Sequence, residues 1–178
     1  MIRRATAGDR DRLFAFAEKL PEHDLLFLGR DLKHPRVIDA WAAAIEEGSI
    51  DSLIDEGEDG ALCGTAALVR DPLGWSPHVG EVRVLVAPEA RGGGVGRRLL
   101  GELVRIAVEE HRLAKLCARM TPDQRGAIEL FESAGFRAEA LLHDQVADRQ
   151  GRRHDIAILS LDLERAASRR EAFGLADG

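Results

Sequence analysis

The sequence predicts a single α/β (α+β) domain, a mixed central β-sheet with helices on both faces. Three observations lead there. Strand-like alternation and helix-like stripes succeed one another with no internal repeat, and such an order needs crossovers that place helices on the sheet. A glycine-dense turn over residues 84–100 joins a strand directly to an amphipathic helix. The 178 residues, nearly half of them apolar, suffice for one core without a second domain. The domain is expected over residues 1–163, followed by a charged, frayed tail over 164–178 that includes the solvated pair Arg169-Arg170.

Residues 1–7 begin as a short strand, and Thr6 or Asp9 caps a helix carrying Leu13, Phe14, Phe16, Ala17 and Leu20, which Pro21 closes. From Leu25 the pattern is irregular as far as His34-Pro35, where a helix through Ile38, Trp41, Ala42 and Ile45 begins and runs to Gly48. Residues 52–56 and 61–70 read as a hairpin around Glu58-Asp59-Gly60, and a further strand covers 79–86. Past the glycine turn, Val95, Leu99, Leu103, Ile106 and Ala107 form one apolar stripe, with Arg98, Glu102, Arg105 and Glu109 on the wet side. Residues 113–120 form a strand. Thr121 then caps a helix with Pro122 in its first position, Gln124 closes a capping box, and Gly135 ends it. Residues 136–146 and 153–161 form the last hairpin.

The formal net charge of −6 argues against a nucleic-acid-binding surface and mildly favours a cationic amine as partner. Cys63 and Cys117 form no C-x-x-C pair, which argues against structural zinc and any other metal and fits reduced thiols in the cytoplasm. Asp9, Asp11 and Glu18 interrupt the N-terminal apolar residues, so neither a leader peptide nor a membrane association is expected. The oligomeric state is open, a homodimer being one option.

The chemistry is concentrated in the glycine turn. Gly92, Gly93, Gly94 and Gly96 each cost backbone entropy and contribute no side chain, but they leave N–H groups bare at the positive end of the following helix. Such a turn suits a pyrophosphate, with Arg91 and Arg97 flanking it. The Gly-Lys-Ser/Thr of a P-loop is absent, since Arg97 and Arg98 follow Gly96, and G-x-G-x-x-G counted from Gly92 meets Arg97 at its sixth position. What fits is Arg-x-x-Gly-x-Gly at Arg91, Gly94 and Gly96, behind a Val-x-Pro strand end.

That pattern resembles the coenzyme A signature of the GNAT superfamily of acyl-CoA-dependent N-acetyltransferases. Residues 121–136, with Ala127, Leu130, Phe131 and a closing Gly135-Phe136, resemble the family's second motif. The resemblance implies that Val84, Leu85 and Val86 pair with the pantetheine arm through backbone groups. It places the pyrophosphate on Arg91, Gly92, Gly93, Gly94, Val95, Gly96 and Arg97, with Gln124 and Phe131 as further contacts to acetyl-CoA. The chain departs from the family in two places. The tyrosine that often protonates the departing thiolate falls at Phe131, in a chain with no tyrosine at all, and the family's asparagine falls at Gln124.

Acetyl transfer to a primary amine needs a general base. Glu81, on the strand before the turn and on the side of Arg83 and Leu85, is the first candidate, with partnership to Arg83 as its alternative role; His78 is the second. Asp144, His154 and Asp155 either line an acceptor pocket or simply satisfy one another at a hairpin end, and Cys117 reads as a small core residue. The acceptor is a small molecule, which the bulky segment 25–28 would wall in, or a protein. A non-catalytic acyl-CoA-binding regulatory module is the alternative.

Overall fold

The computed structural model describes residues 1–165, so the expectations for most of the tail, residues 166–178 with Arg169-Arg170 among them, lie outside the described residues. A seven-stranded mixed sheet runs in the order β1-β2-β3-β4-β5-β7-β6. Its strands are β1 (Ile2–Arg4), β2 (Ile50–Glu56), β3 (Leu62–Arg70), β4 (Val79–Val86), β5 (Lys115–Met120), β6 (Arg137–Ala147) and β7 (Arg153–Asp162). Among the described residues only β4 and β5 pair in parallel, with α3 in the crossover between them. The helices are α1 (Arg10–Lys19), α2 (Pro35–Glu46), α3 (Val95–Glu109) and α4 (Arg125–Ser133).

Two cores sandwich the sheet, as the alternation along the strands requires. On one face α3 and α4 pack Leu99, Leu103, Ile106 and Phe131 over Leu68, Val82 and Leu116. On the other, α1 and α2 pack Leu13, Phe16 and Ile38 over Ile54, Leu85 and Ile156. The apolar stripe of α3 is buried as expected and is one residue wider, Leu100 being 1% exposed. Two glycines permit the close packing: a Cβ on Gly64 would lie 2.8 Å from Val95 Cγ1, and one on Gly80 2.7 Å from Leu68 Cδ1. Gly48 and Gly135 end their helices at φ +73° and +97°.

The structure corrects some boundaries. The irregular stretch after Pro21 holds a 3-10 helix, Glu22–Leu28, with Leu25 and Phe27 buried. β5 starts at Lys115, since Leu113 is drawn into the end of α3 through its amide on the Ala107 carbonyl. α4 starts at Arg125, not at Pro122. A turn intervenes, closed by the Gln124 amide donating to the Thr121 carbonyl. The reciprocal Gln124 bond expected of a capping box is nonetheless present, Oε1 accepting from the Thr121 amide at 3.0 Å.

Near the N-terminus the Asp9 carboxylate takes the Thr6 amide at 2.9 Å and a two-pronged Arg3 guanidinium at 2.7 and 2.9 Å. Arg3 above all holds the Asp9 carboxyl well below the usual carboxylate range. A depressed folded-state value stabilises the fold above the unfolded carboxylate pKa and is lost as pH falls below it. Asp9 is 6% exposed but Arg3 39%, so Asp9→Asn is expected to cost about 2 kcal/mol at pH 7, less than a fully buried pair. Urea midpoints of the two proteins should converge as pH drops below about 4.

Candidate active site

β4 and β5 pair from Val79↔Lys115 only to Val82↔Ala118. Beyond that point each strand keeps its outer neighbour, β4 bonding β3 as far as Gly64↔Val86 and β5 bonding β7 as far as Met120↔Ala157. The inner edges therefore part, and Pro88 and Pro122, which lack an N–H, lie just beyond the two strands. The opening is a cleft of about 850 Å³ that passes through the sheet. Val82, Val84, Val86, Leu130 and Phe131 line it on the α3/α4 side, and Asp24, Phe27 and Leu85 on the other.

At one end of the cleft lies the glycine turn. Gly92 and Gly94 hold φ of +77° and +78°, which flips successive peptides and gathers their N–H groups on one side. Gly94 is the residue before α3, so the first free amides of that helix continue the array. Among the described residues none of the amides of residues 92–97 donates to a protein oxygen; the first to do so is Arg98, to the Gly94 carbonyl at 3.0 Å. Gly96 serves packing as well, since a Cβ there would meet Leu130 Cδ2 at 3.0 Å. Arg97 is exposed and lines the cleft, whereas the Arg91 guanidinium turns back onto Asp24 and the Val86 carbonyl, tying the 3-10 helix to the turn. Free amides on a helix N-terminus, with no side chain in front of them, fit the diphosphate of coenzyme A.

Phe131 is buried against the Phe136 ring, edge to face at 5.0 Å, and reaches the cleft wall. Gln124 also lines the cleft, with its oxygen committed to Thr121 and its amide nitrogen left as a donor.

Glu81 sits opposite Cys117, one pair before the strands part, and faces the α1/α2 side with Arg83 and Leu85. Arg83 Nε donates to its Oε1 at 2.7 Å. Glu81 is thus the partner of Arg83, one pair before the strands part, and is not itself among the residues that line the cleft. His78 does not line the cleft either: it is exposed before the first residue of β4, three positions and about 10 Å of chain from Glu81. Burial and the nearby Glu81 charge push the Cys117 thiol up, which disfavours the thiolate that a nucleophile needs.

The Asp144, His154 and Asp155 cluster takes the plainer of its two roles. Asp155 accepts from the Asp144 amide at 2.9 Å and meets His143 at 3.1 Å, while His154 meets Asp148 at 3.0 Å. None of the three lines the cleft. Asp51, Glu110 and His111 bring potential ligand atoms within 4.8 Å of one another, but Arg4 and Arg70 already occupy both carboxylates of that group.

Two residues near the cleft escape sequence reasoning. Arg119 lines it from β5, and its signal was the alternation that buries Leu116, Ala118 and Met120 and so turns Arg119 to the opposite side. His23 meets Asp123 at 3.0 Å and Thr121 Oγ1 at 3.2 Å, partners about a hundred positions away that no local pattern announces.

Comparison with known proteins gives the family and the fold. The model of the acetyltransferase (GNAT) family matches residues 17–136. A Bacillus subtilis (strain 168) protein named "Putative phosphinothricin acetyltransferase YwnH" is 36% identical over 83 residues, 47% of this chain and 50% of that relative; the match thus spans half the relative's length. A ribosomal-protein-alanine N-acetyltransferase from Brucella melitensis superposes with a TM-score of 0.75 at 27% identity, covering 91% of this chain and 99% of the other. The structure of yncA from Salmonella typhimurium with its cofactor acetyl-CoA shares the fold, with a TM-score of 0.75 at 24% identity over 92% and 93% of the two chains.

Proposed function

The chain belongs to the acetyltransferase (GNAT) family, and on that premise we propose that it transfers an acetyl group from acetyl-CoA to a primary amine of a small molecule. The observation that carries the reading is the parting of β4 and β5 into a cleft that ends on six amides with no protein acceptor. Acetyl-CoA supplies the acetyl group as an activated thioester. The amides of residues 92–97, aided by Arg97, take its pyrophosphate. The free edge of Val84, Leu85 and Val86 bonds the pantetheine amides as a missing strand would, and Phe131 and Leu130 pack against the arm. Gln124 donates its amide nitrogen into the same cleft.

Glu81 accepts the proton that the ammonium group must shed, either directly or through one water, and Arg83 holds the carboxylate in place. The amine nitrogen then bonds the acetyl carbon as the carbon–sulfur bond breaks. The nitrogen's second proton leaves to solvent as the amide forms, and the thiolate takes its proton from solvent, because Phe131 has none to give. The acceptor's body fits the second cavity, about 340 Å³, which α2 roofs with Val37, Ala40 and Trp41 and which meets the cleft at Leu85. A small molecule is favoured over a protein because the acceptor side is bridged. Arg149 on the β6–β7 turn bonds Glu22 through its amide and Asp31 through its guanidinium, closing the hairpin over the 3-10 segment. Both cysteines are free, which supports a reducing, cytoplasmic setting.

The test is thiol release from acetyl-CoA against a panel of primary amines, with the acetylated product identified by mass. Turnover on at least one small amine is expected, together with a rise in Tm on adding acetyl-CoA. A Tm rise with no turnover on any amine or peptide would instead make the protein an acyl-CoA-binding module.

A further inference from the structure

Three arginines line the cleft. Arg91 is held by Asp24, and Arg97 lies exposed beside the glycine turn. Arg119 differs from both. Its Nε is buried with no hydrogen-bond partner, and it forms no ion pair among the described residues. A guanidinium cannot shed its charge to escape this position, so an unpartnered nitrogen there leaves the bond unmade until an anion arrives.

Its place in the fold says which anion. Arg119 is the first β5 residue beyond the last β4–β5 pair, at the apex of the cleft. The amides of residues 92–97 lie at the opposite end, past Val86, so the pyrophosphate is accounted for elsewhere. Arg119 shares the face of Cys117, two residues earlier, which lies opposite Glu81. It therefore stands about 7 Å along the strand from the level of the proposed base. A planar fork at that point matches a carboxylate, which it can hold with two parallel bonds.

We propose that Arg119 is a specificity-determining residue that binds a substrate carboxylate at the apex of the cleft. The carboxylate belongs to an amino-acid acceptor or to a dicarboxylic acyl thioester. The inference rests on the acyl-transfer reading above and adds the substrate class. It accounts for the unpaired cation at the point where donor and acceptor must meet.

The experiment compares the wild type with Arg119→Met and Arg119→Lys. One arm offers the twenty amino acids and their carboxamides with acetyl-CoA, and the other offers succinyl-CoA against acetyl-CoA with the carboxamides as acceptors. The wild type is expected to favour the carboxylate-bearing member of one arm at least tenfold in kcat/KM, and that arm identifies the source. Arg119→Met should lose about a hundredfold on the favoured substrate and stay within threefold on its carboxylate-free counterpart, with Arg119→Lys between. Equal losses on both members, or a wild type that does not discriminate, would overturn the proposal.

Should the wild type turn over nothing, the acyl-transfer reading fails and binding decides about Arg119. In that case an amino acid should raise the Tm of the CoA-saturated protein, or succinyl-CoA should raise it more than acetyl-CoA does. Either shift must vanish in Arg119→Met. Absence of both shifts in the wild type overturns the carboxylate site as well.

Discussion

Gly94→Asp is expected to reduce acetyl-CoA affinity at least a hundredfold, roughly 2.7 kcal/mol, while the protein stays folded. The residue precedes α3 with φ +78°, in the middle of the free amides. A carboxylate there sets negative charge against the phosphates and places atoms where the backbone has to approach them. The nearest side chain, Arg98 Nη1 at 3.5 Å from a built Cβ, is already engaged by the Gly93 carbonyl, and its other terminal nitrogen by Asp55, so it offers little neutralisation. Aspartate tolerates the left-handed conformation better than most residues, and the strain should cost the fold about 1 kcal/mol. Gly94→Asn separates charge from shape, being the same size and equally tolerant of that conformation. Calorimetric titration should find Gly94→Asn within about tenfold of the wild type. An aspartate variant that binds acetyl-CoA as tightly as the asparagine variant would remove the pyrophosphate from this turn.

Glu81→Gln is expected to lower kcat on amines of high pKa by about a hundredfold and to leave acetyl-CoA affinity unchanged. The amide oxygen of glutamine can still accept from Arg83 Nε, so the strand keeps its local bond and the loss reads on proton transfer. The pH dependence gives the more diagnostic signal. Without a base the variant depends on amine that is already neutral, and its rate should climb about tenfold per pH unit toward the amine pKa, where the wild type levels off earlier. Wild-type rates across the whole profile would take the role from Glu81.

The cofactor side of the site was legible in one continuous stretch. The run from Val84 to Arg97 contains the strand edge, the glycines and the helix start, and local backbone geometry alone makes these the candidate phosphate turn. The second motif was legible for the same reason, although its helix begins later than the capping pattern suggested because Thr121-Pro122 forms a turn first. The acceptor side was not. The walls proposed for it come from the 3-10 segment, α2, β5 and the final hairpin, and the contacts that assemble them, such as His23 with Asp123 and Arg149 with Asp31, span about a hundred positions or more.

The sequence by itself therefore determined the order of strands and helices, the two faces of the sheet and the glycine turn proposed for the pyrophosphate, because periodicity, glycine and helix termini act over a few residues. Tertiary structure decided the rest. It set Glu81 against Arg83 one pair before β4 and β5 part and left His78 exposed ahead of the first residue of β4, neither of them lining the cleft. It also left the Arg119 Nε buried with no hydrogen-bond partner among the described residues, which no local pattern encodes, since a partner's absence is a property of everything packed around it.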